Sequence, residues 1–313
     1  MTDNQYVFVV GLPRTGSTLL RTLLNRSDCV SIAPETHFLH HYARIGKKKR
    51  LLRFGNLNEA KSVDRFLDDL FTPRRAAGKD FWAWLNHNTT RSQFRDLLLA
   101  TDRSDRAIFK LFIQLYTEWK KGEVQPGMIL GEKTAANIYY VPELIRWFPN
   151  ARIIHTFRDP RGIFVSALKL VNDGKWGVKA RLPSALPRTI VSPSLEAIMA
   201  VYILRIWLDA VRLHARYVQA YPEQYQLVRF EDLLQAPEQH LRQICAFIQA
   251  PFDSSMVEEV SSVGSSFSDQ RIIRGAGFEQ SAADRWKDRI HPLPQAWLTT
   301  WTGRQLDQFG YGR

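Results

Sequence analysis

The sequence has few cysteines, no long apolar run and no recognisable leader segment. Cys29 and Cys245 are the only cysteines among 313 residues, which excludes a fold built on disulfides and a cysteine-rich zinc module. No apolar run approaches the roughly 20 residues that a membrane-spanning helix needs. Residues 1–5 are polar and lead directly into a strand-like segment, unlike a signal peptide. We therefore expect a reduced, cytoplasmic protein without a membrane span.

Acidic residues are scarce relative to basic ones. The chain has 43 Lys and Arg against 31 Asp and Glu, a net charge of +12. This excess predicts an anionic partner, which could be nucleic acid, a membrane surface or a phosphate-rich small molecule, and a basic surface that only aids solubility is the alternative. The basic run of Lys47, Lys48, Lys49 and Arg50 is more typical of a solvated helix face, since no nucleic-acid-binding motif accompanies it. We expect no nucleic-acid partner.

Strand-like and helical segments alternate along the chain. Short apolar, β-rich segments occupy residues 6–10, 128–130, 152–157 and 225–230. Helical spacing of apolar residues covers 18–25, 140–147, 162–171, 195–220 and 237–248. This alternation predicts an α/β fold with a central parallel sheet.

Two stretches depart from that alternation. Residues 54–105 have a helical, polar pattern that includes Trp82 and Trp84, and residues 172–193 contain enough glycine and proline to predict a long loop. Ligands of α/β sheets bind beyond the carboxyl ends of the strands. Within one predicted domain of residues 1–313, both stretches are therefore candidates for a substrate cap or lid, with uninvolved surface excursions as the alternative. The two tryptophans could line a pocket or belong to the core.

A glycine-bearing loop joins the first predicted strand to the first predicted helix. It reads Gly11-Leu12-Pro13-Arg14-Thr15-Gly16-Ser17-Thr18. Glycines permit a tight turn whose backbone N–H groups point inward, and the helix N-terminus adds partial positive charge, so the loop suits a phosphate or sulfate group. A plain strand–helix turn is the alternative interpretation.

The loop differs from that of nucleotide triphosphatases at one informative position. Gly11 and Gly16 match the two glycines of that motif, but Ser17 stands where the motif has lysine, and the cation lies inside the loop as Arg14. Phosphoryl transfer is therefore not expected, and a phosphate-type ligand that needs no metal is favoured. The eight histidines show no metal-ligand spacing with carboxylates or cysteines, so we predict no metal site.

The loop resembles the 5′-phosphosulfate loop of sulfotransferases that use 3′-phosphoadenosine 5′-phosphosulfate (PAPS), and is most similar to the tyrosylprotein sulfotransferase type. A second segment, Phe157-Arg158-Asp159-Pro160-Arg161 with Ser166 eight residues after Arg158, resembles the 3′-phosphate element of the same family. Near the C-terminus, Arg274-Gly275 and Arg285-Trp286-Lys287 resemble, with different spacing, the segment that closes over the nucleotide.

The resemblance implies a three-layer, P-loop-like α/β fold with helical insertions, PAPS as cofactor and 3′-phosphoadenosine 5′-phosphate (PAP) as product. It also implies sulfuryl transfer to the hydroxyl group of an acceptor. The implied cofactor-binding residues are Pro13, Arg14, Thr15, Gly16, Ser17, Thr18, Arg158, Ser166, Arg274, Gly275 and Arg285.

Four residues are candidates for the chemistry. Arg14 and Lys133, the latter in Gly131-Glu132-Lys133-Thr134, would stabilise the charge on the leaving phosphate oxygen. Glu35 lies 21 residues past Arg14, the separation of the catalytic glutamate in the tyrosylprotein type, and His37 is an alternative base. Pro34 and His37 stand where that type has Glu and Arg, which argues against a peptide-tyrosine acceptor. Because the insertions that would set specificity show no recognisable pattern, peptide tyrosine, a glycan, a lipid and a small metabolite all stay open as acceptors.

Two other functions fit the same loop. An ATP-dependent small-molecule kinase could use this fold, and a non-catalytic protein could bind a nucleotide or another polyanion there. Binding of PAP without Mg²⁺ separates the first from a sulfotransferase, and the effect of replacing Glu35 separates the second.

Overall fold

The computed structural model describes residues 4–43, 50–76, 78, 80–172, 188–257 and 281–312. Its sheet has five parallel strands in the order β2-β3-β1-β4-β5. The strands are β1 (Gln5–Gly11), β2 (Val30–Ala33), β3 (Ile129–Lys133), β4 (Arg152–Phe157) and β5 (Tyr225–Arg229). The predicted α/β class with a central parallel sheet is confirmed.

Helices connect the strands and follow the last one. They are α1 (Ser17–Leu24), α2 (Phe38–His41), α3 (Ala60–Leu70), α4 (Pro73–Ala76), α5 (Phe81–Asn88), α6 (Arg91–Leu99), α7 (Asp105–Lys121), α8 (Val141–Trp147), α9 (Pro160–Asn172), α10 (Arg188–Ala220), α11 (Phe230–Gln235), α12 (Pro237–Ile248), α13 (Ser281–Asp284) and α14 (Pro292–Gln308). Short 3-10 turns cover Arg50–Phe54, Ala135–Tyr140 and Ser254–Met256.

Strand β1 shows why the sheet is covered on both faces. Its side chains alternate between two separate cores, with Tyr6 and Phe8 in one and Val7 and Val9 in the other. The larger core includes residues of α7, α8 and α10, and the smaller includes residues of α1 and α12. The unbroken apolar run of β1 is thus the pattern of a strand buried between two helical layers.

The structure differs from the sequence-based prediction at several places, and two 17-residue helices, α7 and α14, were not predicted. The four-residue strand β2 was not predicted, and β3 runs to Lys133 instead of ending at residue 130. The predicted loop at 172–193 is wrong at its edges, because residue 172 ends α9 and residues 188–193 begin α10. Pro193 lies in the second turn of α10. Because proline has no backbone N–H, one helical hydrogen bond is missing near the N-terminal end of this long helix. Residues 173–187 lie outside the described part of the chain.

The predicted helical insertion contains α3 to α6 and packs against the start of the site. Trp82 and Trp84 are buried in the larger core, which confirms the core interpretation of both. The hydroxyl of Tyr42, just after α2, donates to Asp69 of α3 at 2.7 Å, and Arg75 lies against the same carboxylate at 3.1 Å. The insertion is therefore joined to the segment that carries the predicted bases.

The carboxyl ends of the strands lie along one edge of the sheet, because all five run in the same direction. The glycine-bearing loop follows β1, Glu35 follows β2, Lys133 ends β3 and Arg158 follows β4. Residues from four separate parts of the sequence thus reach the edge where α/β sheets bind ligands. Every helix in the described ranges is too short or too polar to cross a membrane.

Candidate active site

The loop after β1 has the backbone of an anion-binding turn. Gly16 has φ 86°, and a Cβ added there would lie 2.4 Å from Cδ2 of Phe230. Helix α1 begins at the next residue and has no side-chain cap at its N-terminus, whereas Asp80 and Ser104 cap α5 and α7. The first N–H groups of α1 are therefore available to an anionic ligand.

Thr15 fixes this loop to the sheet. Its Oγ1 donates to the carbonyl of Leu12 at 2.7 Å and lies 2.7 Å from Oγ1 of Thr156 on β4. The side chain is buried, so it shapes the loop, and its backbone is the part that a ligand could contact. Ser17 is buried as well and forms no side-chain hydrogen bond to the described residues, and Pro13 is exposed at the turn.

Arg14 connects the loop to α9. Its φ of 72° lies in the left-handed region, which costs a non-glycine residue on the order of 1 kcal/mol. Its Nε donates to Oγ of Ser166 at 2.8 Å. Burial lowers the pKa of its guanidinium, while the nearby Glu35 carboxylate raises it. Arg14 therefore lies between the predicted 3′-phosphate serine and the predicted base.

Lys133 and Glu35 form an ion pair at the ends of β3 and β2. Lys133 Nζ donates to Glu35 Oε1 and to Thr18 Oγ1, the latter at 3.1 Å. The lysine side chain is 1% exposed and the glutamate side chain 30% exposed. Burial lowers the pKa of Lys133, and Glu35 opposes that shift. The pair thus consists of a buried ammonium group in contact with α1 and a carboxylate that is partly exposed to solvent.

His37 lies at the start of α2, beside this pair. Its φ is 50°, and its backbone N–H donates to Oγ1 of Thr134 at 3.4 Å. Burial lowers the pKa of its imidazole, and Glu35 and Asp80 partly oppose that shift. Burial thus favours the neutral form of the ring.

Glu132 is a buried carboxylate directly before Lys133. Its Oε1 accepts hydrogen bonds from the backbone N–H and the hydroxyl of Thr36, each at 2.9 Å, and from the hydroxyl of Thr134. Asn137 Nδ2 donates to its other oxygen at 3.0 Å. Burial raises the pKa of this carboxyl to about 7, although the Thr134 and Thr36 donors oppose the shift.

Arg158 lies where β4 ends, between the loop and the C-terminal segment. Its Nη1 donates to the carbonyl of Arg14 at 3.2 Å and its Nη2 to the carbonyl of Ala282 at 3.0 Å. The guanidinium lies 4.2 Å from the ring centre of Phe230. Burial lowers its pKa to about 10, so it stays charged at pH 7.

Arg161, the second arginine of the same segment, has a different place. It is buried, forms an ion pair with Asp159 at 2.7 Å, and donates to the carbonyl of Gly312 at 2.8 Å. Its guanidinium lies over the ring of Trp286 at 4.1 Å. Arg161 therefore ties α9 to the C-terminal end of the chain.

The C-terminal candidates are described only in part. Arg285 directly follows α13, three residues after the Ala282 carbonyl that Arg158 contacts, so the structure brings its backbone to this end of the site. Lys287 pairs with Asp284 at 2.7 Å on the surface. Arg274 and Gly275 lie outside the described residues, as do Lys47, Lys48 and Lys49.

Glu132, Thr36 and Phe230 were not predicted from the sequence as parts of this site. Glu132 lies in the Gly131-Glu132-Lys133-Thr134 segment. An acidic residue in a buried strand indicates that hydrogen-bond donors lie nearby. Its partner Thr36 is 96 residues away and is found only through the pairing of Ala33 with Glu132 between β2 and β3. The contact of Phe230 with Arg158 could not be predicted, because it depends on how α11 packs.

The chain is similar to a known protein family and to several solved structures. The profile of the Sulfotransferase family matches residues 6–254. The sulfotransferase domain of the olefin synthase from Synechococcus PCC 7002 is 18% identical with a TM-score of 0.58, covering 99% of this chain and 96% of that one. The sulfotransferase domain from the curacin biosynthetic pathway is 19% identical with a TM-score of 0.59, covering 99% of both chains. These likenesses show the fold. No curated protein sequence matches.

Proposed function

The chain belongs to the sulfotransferase family, which transfers a sulfuryl group from PAPS, and from that premise we propose that Glu35 is the base and that Arg14 and Lys133 are the catalytic cations. The observation that carries this proposal is the ion pair between Lys133 and Glu35 beside the anion-binding turn. A cation for the leaving oxygen and a carboxylate for the acceptor proton meet there. Family membership favours sulfuryl transfer over the kinase alternative.

The described residues suit PAPS at both ends of the molecule. The uncapped N-terminus of α1 would bind the 5′-phosphosulfate through the backbone of residues 15–18. At the other end, Arg158 has a buried Nε without a hydrogen-bond partner in the described residues, and Ser166 presents a hydroxyl 2.8 Å from Arg14. We propose that Arg158 and Ser166 bind the 3′-phosphate, joined by Arg285 and, outside the described ranges, Arg274 and Gly275.

The chemistry assigned to the chain is a balanced transfer. PAPS supplies the sulfuryl group. Glu35 takes the proton from the acceptor hydroxyl as the new sulfur–oxygen bond forms, and its partial exposure gives the acceptor access. Lys133 Nζ and the Arg14 guanidinium stabilise the negative charge on the phosphate oxygen whose bond to sulfur breaks. One such donor is worth about 3–4 kcal/mol of transition-state stabilisation.

His37 is the second candidate base. Burial lowers the pKa of its imidazole, which favours the neutral form. We favour Glu35, because the carboxylate touches the catalytic cation directly. In that case His37 lines the acceptor side, next to the insertion formed by α3 to α6, which we propose to shape the acceptor pocket of a single-domain enzyme.

The acceptor is proposed only as a hydroxyl-bearing molecule, and nucleic acid is not proposed as a partner. The cytoplasm is the proposed location, because both Cys29 and Cys245 are free thiols, as in a reducing compartment. The described residues contain no group of three or more His, Cys, Asp or Glu side chains that could hold a metal ion.

Two measurements test the function. Calorimetry with PAP in the absence of Mg²⁺ should show saturable binding, and tight binding of Mg·ATP with none of PAP would contradict the proposal. A screen of acceptor classes with isotopically labelled PAPS, read by mass spectrometry, should then reveal sulfated products. Phenols, glycans, hydroxylated lipids and tyrosine peptides are the classes to include.

A further inference from the structure

Glu132 is held by donors that belong to the turn carrying Glu35. Its side chain is buried at the end of β3, and its Oε1 accepts three hydrogen bonds, two of them from Thr36. A buried carboxylate is costly unless donors surround it, so these contacts are needed for folding at this point. They are also placed next to the reacting groups, because Thr36 directly follows Glu35.

The contacts join two turns into one unit. Thr36 uses both its N–H and its hydroxyl on Glu132, and the same hydroxyl accepts the N–H of Phe38 at 3.2 Å. From the other turn, the Thr134 hydroxyl donates to Glu132 and accepts the N–H of His37 at 3.4 Å. The segment from Glu35 to Phe38 is thereby fixed to the residues that flank Lys133.

We propose that Glu132 is a positioning residue for sulfuryl transfer, whose carboxylate holds the turn at Thr36 so that Glu35 stays against Lys133. This inference rests on the proposed function, in which Glu35 is the base. Glu132 and Lys133 are consecutive residues of β3, and each contacts one of the consecutive residues Thr36 and Glu35. Loss of the contact between Glu132 and Thr36 therefore releases Glu35, the partner of Lys133.

The chain offers an isosteric substitution that keeps these contacts. In Glu132→Gln the amide oxygen can accept the same three bonds as Oε1. The amide nitrogen would face Asn137, whose Oδ1 is buried without a hydrogen-bond partner in the described residues. A rotation of the Asn137 amide turns that oxygen toward the new donor, so the side chain of residue 132 keeps all four hydrogen bonds without the charge.

Asn137→Ala is the matched control. Among the described residues, it removes the one donor to the other oxygen of Glu132 and leaves the bonds from Thr36 and Thr134 in place. It therefore changes the burial and hydrogen bonding of Glu132 without releasing the Glu35 turn. Thr36→Val is a second probe of the turn itself, because it removes one of the two donors from Thr36.

The experiment measures three quantities for the wild type and for Glu132→Ala, Glu132→Gln, Asn137→Ala and Thr36→Val. They are kcat for PAPS turnover, Kd for PAP, and hydrogen exchange of the amides at residues 35–37. In Glu132→Ala we expect kcat to fall about 100-fold, as for a misplaced reacting group, with Kd for PAP within about twofold because its proposed binding residues are elsewhere. Amide exchange at Thr36 should become about tenfold faster.

Glu132→Gln should restore kcat and amide protection to within about threefold of the wild type, and Asn137→Ala should resemble the wild type. Equal losses of kcat in Glu132→Ala and Asn137→Ala, or unchanged Thr36 exchange in Glu132→Ala, would overturn the positioning role.

If Glu132→Ala does not fold, Thr36→Val decides: a lower kcat with unchanged Kd for PAP supports the role, and a wild-type kcat refutes it. Wild-type protein with a protected Thr36 amide but no turnover with any acceptor would refute sulfuryl transfer instead, which keeps the two failures distinct.

Discussion

Arg14 and Ser166 are joined by a hydrogen bond of 2.8 Å, from Nε of the arginine to Oγ of the serine, although 152 residues separate them in sequence. Arg158 adds a second connection, because its Nη1 donates to the Arg14 carbonyl at 3.2 Å. The two segments that resemble the 5′- and 3′-binding elements of the family are therefore in direct contact.

The serine should affect only ligands with a 3′-phosphate. Ser166→Ala removes a donor that we propose for that group, and a hydrogen bond to a charged partner is worth about 1.5–3 kcal/mol. We expect Kd for PAP to rise about tenfold or more, and Kd for adenosine 5′-monophosphate, which lacks the 3′-phosphate, to stay the same. Calorimetry measures both. An equal loss for the two nucleotides would remove Ser166 from the 3′ site.

Gly16 is required by both its backbone and its surroundings. Gly16→Ala forces alanine into φ 86° and places Cβ 2.4 Å from Phe230, so it should displace the ring beside Arg158. Gly127→Ala is the control, with φ 83° and no atom within 4 Å of the new Cβ. We expect both to lose about 1 kcal/mol of unfolding free energy from the backbone, but only Gly16→Ala to lose more and to weaken PAP binding. Equal effects on Kd would refute this difference.

Lys133 should contribute to rate more than to folding. Lys133→Met keeps a similar length and removes the cation, and we expect kcat to fall about 10²–10³-fold, the effect of losing one transition-state donor. Lys121→Met is the control, since Lys121 also donates two hydrogen bonds, in its case to the backbone carbonyls of Asn25 and Ser27 just beyond the C-terminal end of α1. Steady-state kinetics with PAPS should show a normal kcat for the control. A normal kcat for Lys133→Met would exclude the lysine from the chemistry.

His155 makes stability depend on pH. It is buried on β4 with Nδ1 2.5 Å from the Tyr225 hydroxyl, and burial lowers its pKa to about 3. The unfolded chain takes up this proton near pH 6.5 and the folded chain does not, so stability is complete above that pH and is lost as the pH falls toward 3. Between pH 7 and 5 the loss is on the order of 2 kcal/mol. Urea unfolding should show this loss in wild type and a smaller one in His155→Gln; identical losses would contradict the assignment.

The central strands and the loop between β1 and α1 could be predicted, because each is a contiguous pattern. The apolar run of β1, the loop from Gly11 to Thr18 and the separation of Arg158 from Ser166 are all local in sequence. Strand β2 was missed because its four residues, Val30–Ala33, are too few to show a period. The pairing of β2 with β3 places Glu35, which follows β2, beside β3.

Long-range partners could not be predicted. Nothing local indicates that Glu132 accepts donors from Thr36, because that contact depends on the register of β2 against β3. The sequence likewise does not distinguish Arg158, which faces the loop, from Arg161, which is turned to Asp159 and the C-terminal carbonyls. The first outcome depends on strand pairing, and the second on how the turn before α9 and the start of α9 pack against the C-terminal segment.

The most direct measurement is kcat for Glu35→Gln beside His37→Gln, with the best acceptor from the labelled-PAPS screen. If Glu35 is the base, its replacement lowers kcat about 10²–10⁴-fold and leaves Kd for PAP unchanged, while His37→Gln has the smaller effect. A Glu35→Gln enzyme that transfers sulfate at the wild-type rate would contradict the assignment.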